Sequence, residues 1–97
     1  MTVNATSSNE LEFAKSVNLQ AGAISIGRAD DNDLHLQDKS VSAHHARIFT
    51  YLDASYIEDL GSTNGTYLNG KRIQKHTLRP GDVIIVGRLK LKIIKDN

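Results

Sequence analysis

Cysteine is absent from the 97 residues of this chain. Disulfides and thiolate metal sites are therefore excluded, and a reducing compartment suits it. Proline occurs once, and aromatic residues make up only 5% of the sequence, with no sign of the stacking platform that single-stranded nucleic acid requires. A dominant charge is missing too: twelve basic residues stand against eleven acidic, for a net charge of +1. That balance provides no global field to hold nucleic acid or an anionic membrane, so an anion site would have to be local. No apolar run approaches the roughly 20 residues of a membrane span. The opening MTVNATSSNE has neither a basic n-region nor an apolar h-region and is not expected to act as a signal peptide. A cytoplasmic protein, or a cytoplasmic piece of one, is expected. Internal repeats, low-complexity segments and amphipathic helical stripes are all missing.

What remains is a chain that is 39% hydrophobic and 24% charged, which suits a single globular domain with one modest core. Residues 1–10 are polar and without periodicity, and are expected to form a disordered tail ahead of a domain over residues 11–97. From Leu11 onward apolar residues alternate with polar ones, as in Leu89-Lys90-Leu91-Lys92-Ile93, which predicts strands. Asp82–Val86 is a continuous apolar run, expected to be buried on both faces. Asn69-Gly70 predicts a type I′ hairpin turn and Pro80-Gly81 a type II turn. About ten short strands at regular spacing predict an all-β sandwich or barrel. Two-sheet domains of this size are commonly monomeric, and a monomer is expected.

Polar, glycine-punctuated loops interrupt the strands. Gly27-Arg28 ends the Ile24–Ile26 strand, and a guanidinium fork there matches two oxygens of a phosphate. Ser42 lies in a loop ahead of the strand that begins near His45. Neighbouring His44 and His45 point to opposite faces and lack further ligands, so a metal reading fails. One of the two should face inward and bridge loops through a neutral ring. Ser62-Thr63-Asn64-Gly65-Thr66 supplies hydroxyls and an amide able both to donate to and to accept from a peptide backbone. A hydrolase built on Ser42, a histidine and Asp59 is rejected, because no nucleophile elbow or helix N-terminus accompanies the serine. Lys71, Arg72, Lys75 and Arg79 read as a charged strand surface.

Gly27-Arg28, Ser42-x-x-His45 and Ser62-x-Asn64-Gly65-Thr66-x-x-Asn69-Gly70, in that order, resemble the forkhead-associated (FHA) domain. Gly81-Asp82 before the penultimate strand adds to the likeness, which covers about Leu11 to Ile94. The resemblance implies a sandwich of about eleven mostly antiparallel strands and non-catalytic recognition of phosphothreonine peptides, without cofactor or metal. It implies that Arg28 and Ser42 bind phosphate, that Thr63 contacts the phosphothreonine and that Asn64 holds the ligand's main chain. Gly27, His45 and Gly65 would shape the site. Ala43 stands where the family often has arginine or asparagine, and His44 and Arg88 are candidate peripheral contacts, Arg88 for an acidic residue three places after the phosphothreonine. The expected partner is a phosphothreonine-containing protein in Ser/Thr kinase signalling. The alternative is a phosphate-independent scaffold of the same fold.

Overall fold

The computed structural model describes residues 1–6 and 13–95. Within them lie eleven strands: β1 (Thr2–Thr6), β2 (Phe13–Asn18), β3 (Gly22–Gly27), β4 (Leu34–His35), β5 (Ala46–Tyr51), β6 (Ala54–Asp59), β7 (Thr66–Leu68), β8 (Lys71–Ile73), β9 (Lys75–Leu78), β10 (Val83–Val86) and β11 (Leu89–Ile94). They form a six-stranded sheet ordered β2-β1-β11-β10-β7-β8 and a five-stranded sheet ordered β4-β3-β5-β6-β9. Every described strand pairing is antiparallel except that of β3 with β4. The fold found is a two-sheet, all-β sandwich: alternation and turns predict a sandwich or barrel, and the FHA resemblance implies the sandwich. Among the described residues, no helix is long and apolar enough to cross a membrane.

Alternation builds the core. β5 buries Ala46 and Ile48 and turns Arg47 and Phe49 to solvent, while β11 buries Leu91 and Ile93 between exposed lysines. Ile26, Leu34, Ile48, Ile57, Ile84, Leu91 and Ile93 are all fully buried, each contributing roughly 1.5–3 kcal/mol of apolar transfer. The core cluster of described residues consists of valine, isoleucine, leucine and alanine alone.

Two expectations are corrected. Thr2–Thr6 is not a disordered tail: it is β1, sandwiched between β2 and β11. Its physical reason is the alternation of Val3 and Ala5, which are 0% and 1% exposed and reach the core between polar neighbours. The rest of the expected tail, residues 7–10, lies outside the described residues. Asp82–Val86 is likewise not buried on both faces. In β10, Ile84 and Val86 are buried but Val83 and Ile85 are only half-buried, because the second face of this sheet meets no further layer of described structure.

The turns hold as read. Asn69 and Gly70 have φ of 49° and 89°, the pair of positive values a type I′ turn needs. The Asp82 amide donates to Arg79 O at 3.1 Å across Pro80 and Gly81, with Gly81 at φ 93°. Register then gathers the functional loops. Ile26 pairs with Ala46 and Ala46 with Asp59, while Val86 pairs with both Thr66 and Leu89. The β3–β4, β4–β5 and β6–β7 loops therefore leave from one end of the sandwich, joined by the β10–β11 turn.

Candidate functional site

Arg28 follows β3 and is exposed, but its backbone is pinned. Its amide donates to Ser42 O at 3.0 Å and its Nε to Val41 O at 3.0 Å. The guanidinium is thereby held beside the loop that carries Ser42. Gly27 permits this approach, since a Cβ there would sit 2.1 Å from Ala43 O. Asn32, 7% exposed, locks the same two loops by donating through Nδ2 to Ala29 O and Ala43 O, both at 2.8 Å.

His45 is the inward-facing histidine and is fully buried, whereas His44 is exposed. The Ser42 amide donates to His45 Nδ1 at 3.1 Å, and His45 Nε2 lies 2.9 Å from Gly65 O. One ring therefore ties the β4–β5 loop to the β6–β7 loop. The Thr63 amide donates to Ser42 Oγ at 3.1 Å, which leaves the serine's own hydroxyl hydrogen to be donated elsewhere. Gly65, at φ 86°, lies under Arg72, whose Nε would be 2.7 Å from an added Cβ.

Two carboxylates organise the rim. Asp59, 8% exposed, accepts from Ser62 Oγ at 2.5 Å, Thr66 Oγ1 at 2.7 Å, and the Gly61 and Ser62 amides at 3.0 and 3.1 Å. Burial pushes its pKa up, but those hydrogen bonds outweigh it and hold the carboxyl below its ordinary value. Asp38 accepts from Ser40 Oγ and the Ser40 amide and pairs with Arg88 Nε at 2.9 Å. The Ser40 hydroxyl, then its amide, and the Arg88 guanidinium bring Asp38 down to about 2 against a partial burial that raises it. The Arg88 amide donates to Ser40 Oγ, and Asn64 Nδ2 donates to Ser40 O at 2.8 Å.

Arg28, Ser42, Thr63 and Asn64 thus share one end of the molecule, linked through residues 40–42, with Ala43 exposed at the same loop and Arg88 on its edge. Chemically the assembly offers a cation, hydroxyls and amides on a fixed frame, the requirements of a compact anion attached to a peptide. Sequence reasoning passed over Asn32, Ser40 and Asp38, which hold the frame without being exposed functional tips. Asn32 was hidden in the Asp30–Asp33 run, where a loop explained it. Lys39 was also missed; it lines a cleft of about 300 Å³ with Arg28, Gln37 and Asp38.

The FHA domain family's sequence profile matches residues 24–87. An ABC transporter ATP-binding/permease protein of Mycobacterium tuberculosis is 40% identical over 73 residues, 75% of this chain and 8% of that protein. The FHA domain-containing protein FhaB of the same organism is 37% identical over 78 residues, 79% of this chain and 50% of FhaB. The chain therefore spans half or less of the length of these curated relatives. A domain solved to analyse phosphothreonine-dependent FHA interactions superposes with a TM-score of 0.88 at 29% identity, covering 99% of this chain and 96% of that one. Fold, loop chemistry and profile agree, and the chain belongs to the FHA-domain family.

Proposed function

We propose that the loop end binds phosphothreonine peptides, as an adaptor in cytoplasmic Ser/Thr kinase signalling. The observation that carries the reading is the direct hydrogen bonding of the Arg28, Thr63 and Asn64 positions onto residues 40–42. A similar domain engages its partners in a phosphothreonine-dependent way. In this reading Arg28 and Ser42 take the phosphate, Thr63 contacts the phosphothreonine and Asn64 holds the ligand's main chain. Gly27, His45 and Gly65 set the backbone. Arg88, its Nε paired with Asp38, presents its remaining donors to an acidic residue three places after the phosphothreonine. Both nitrogens of His45 are committed, to the Ser42 amide and Gly65 O. Neither can serve as base to the Ser42 hydroxyl, which favours binding over catalysis.

Calorimetric titration with matched threonine and phosphothreonine peptides tests the proposal. Binding is expected only to the phosphorylated peptide. A charge-assisted hydrogen bond contributes roughly 1.5–3 kcal/mol, so Arg28→Ala in a folded variant should weaken binding about 10- to 100-fold. Equal affinity for both peptides would reject it. Ala43 favours a second reading, a phosphate-independent assembly module, since its methyl offers no polar contact where the family often has arginine or asparagine. A partner captured equally well after phosphatase treatment would select that reading.

A further inference from the structure

The chain has five aromatic residues, and three of them, Phe49, Tyr51 and Tyr56, fall on the outer face of the five-stranded sheet. Phe49 and Tyr51 are 45% and 64% exposed. Register orders this face into rows. One row is apolar at its centre: Ala23, Phe49, Tyr56 and Thr77 stand side by side on β3, β5, β6 and β9. The adjacent row, nearer the loop end, is Ser25, Arg47, Glu58 and Lys75. Asp33 joins it, because its Oδ2 accepts from the Ser25 amide and hydroxyl at 2.9 and 3.2 Å. Across the sheet the charges therefore read minus, plus, minus, plus: Asp33, Arg47, Glu58, Lys75. Arg47 and Glu58 already pair at 2.8 Å, and Lys75 Nζ lies 5.8 Å from the Tyr56 ring centre. A cleft of about 230 Å³ runs between Arg47, Phe49, Tyr56, Glu58 and Lys75.

An alternating row of this kind is its own complement when reversed. We propose that this face docks a second copy of the chain about a two-fold axis lying along the strands between β5 and β6. Reversal across that axis sets Arg47 opposite Glu58 of the second copy and Asp33 opposite its Lys75. It also sets Phe49 on Tyr56 of the second copy. The aromatic centre supplies the binding free energy, while the exposed charges fix register more than affinity. A two-fold axis running across the strands instead would bring the charged row onto Tyr51 and Ala54, with no partner for any charge. The interface is isologous, as closed dimers require. The proposed docking departs from the monomer expected from size alone. An axis along the strands also keeps both loop ends on the same side. Two phosphopeptide sites, where that reading holds, would face one doubly phosphorylated ligand together.

Sedimentation and light scattering across a concentration series up to about 1 mM test the docking without any peptide. A monomer–dimer equilibrium is expected for the unmodified chain. Phe49→Ser should weaken it at least about tenfold, and Arg47→Glu and Glu58→Arg should each abolish it. Mixing Arg47→Glu with Glu58→Arg should restore a heterodimer, because every reversed pair becomes complementary again; that rescue also shows both variants are folded. A chain monomeric throughout would overturn the proposal and leave the face to a different protein. A dimer indifferent to Phe49→Ser, or no rescue on mixing, would overturn it equally. None of these outcomes depends on phosphopeptide binding, so the two readings fail separately.

Discussion

A backbone N–H can only donate, so the Ser42 amide fixes His45 with Nδ1 bare and the proton on Nε2, from which it donates to Gly65 O. Losing the ring opens a buried cavity and orphans two backbone groups at once. His45→Ala is expected to cost about 2–4 kcal/mol in chemical denaturation, and to weaken peptide binding further in the fraction that stays folded. A variant of unchanged stability would show that the ring does not tie the loops. Asp59 makes a harder demand, since hydroxyls and amides approach both of its oxygens. Asn at this position turns one acceptor into a donor facing other donors. Asp59→Asn is expected to lose roughly 1–3 kcal/mol, read from the denaturant midpoint. Both histidines could be weighed from sequence, because strand alternation forces one of the pair inward. Asn32 could not, since its value lies in two carbonyls, Ala29 O and Ala43 O, that only the fold brings together.

At the scale of elements, turn chemistry was the most legible feature. Asn69-Gly70 announced its own geometry, and Asn69 adds bonds from its Nδ2 to Asp82 Oδ1 and to its Oδ1 from the Val83 amide. The β5–β6 turn gave no such signal. There Leu52 adopts φ 55° while 80% exposed, a conformation that a bulky side chain holds at a cost. Leu52→Gly should therefore raise stability by about 1 kcal/mol. A fall in melting temperature would mean that the leucine is held there by contacts worth more than the strain. β10 misled for a different reason: a run of valine and isoleucine carries no information about which side lacks a covering layer.

For the whole molecule, β1 is an integral part of the domain. The family profile starts at residue 24, yet Val3 and Ala5 belong to the core and β1 separates β2 from β11. Its polar residues concealed this, since a strand with only two inward side chains looks like a tail. A chain cut to residues 11–97 should lose cooperative unfolding, or several kcal/mol at least, because Val3 and Ala5 leave the core, β11 loses one of its two ladder partners and β2 loses the one described for it. Far-UV circular dichroism in denaturant would decide it. Acid should act on the domain as a whole. Asp38 and Asp59 both have folded pKa values below their ordinary ones. The stability they contribute is present above the ordinary carboxylate range and is lost as pH falls from about 4 toward about 2. Denaturant midpoints that stay flat over that interval would contradict the hydrogen-bonded carboxylates described.

Among the described residues the core cluster is aliphatic alone and therefore optically silent. With no tryptophan in the chain and Tyr51, Tyr56 and Tyr67 all outside the described core cluster, collapse of the interior should barely move the intrinsic emission. Tyr51 and Tyr56 then report whatever settles on the outer face of the five-stranded sheet, against the emission of Tyr67 on β7 of the other sheet.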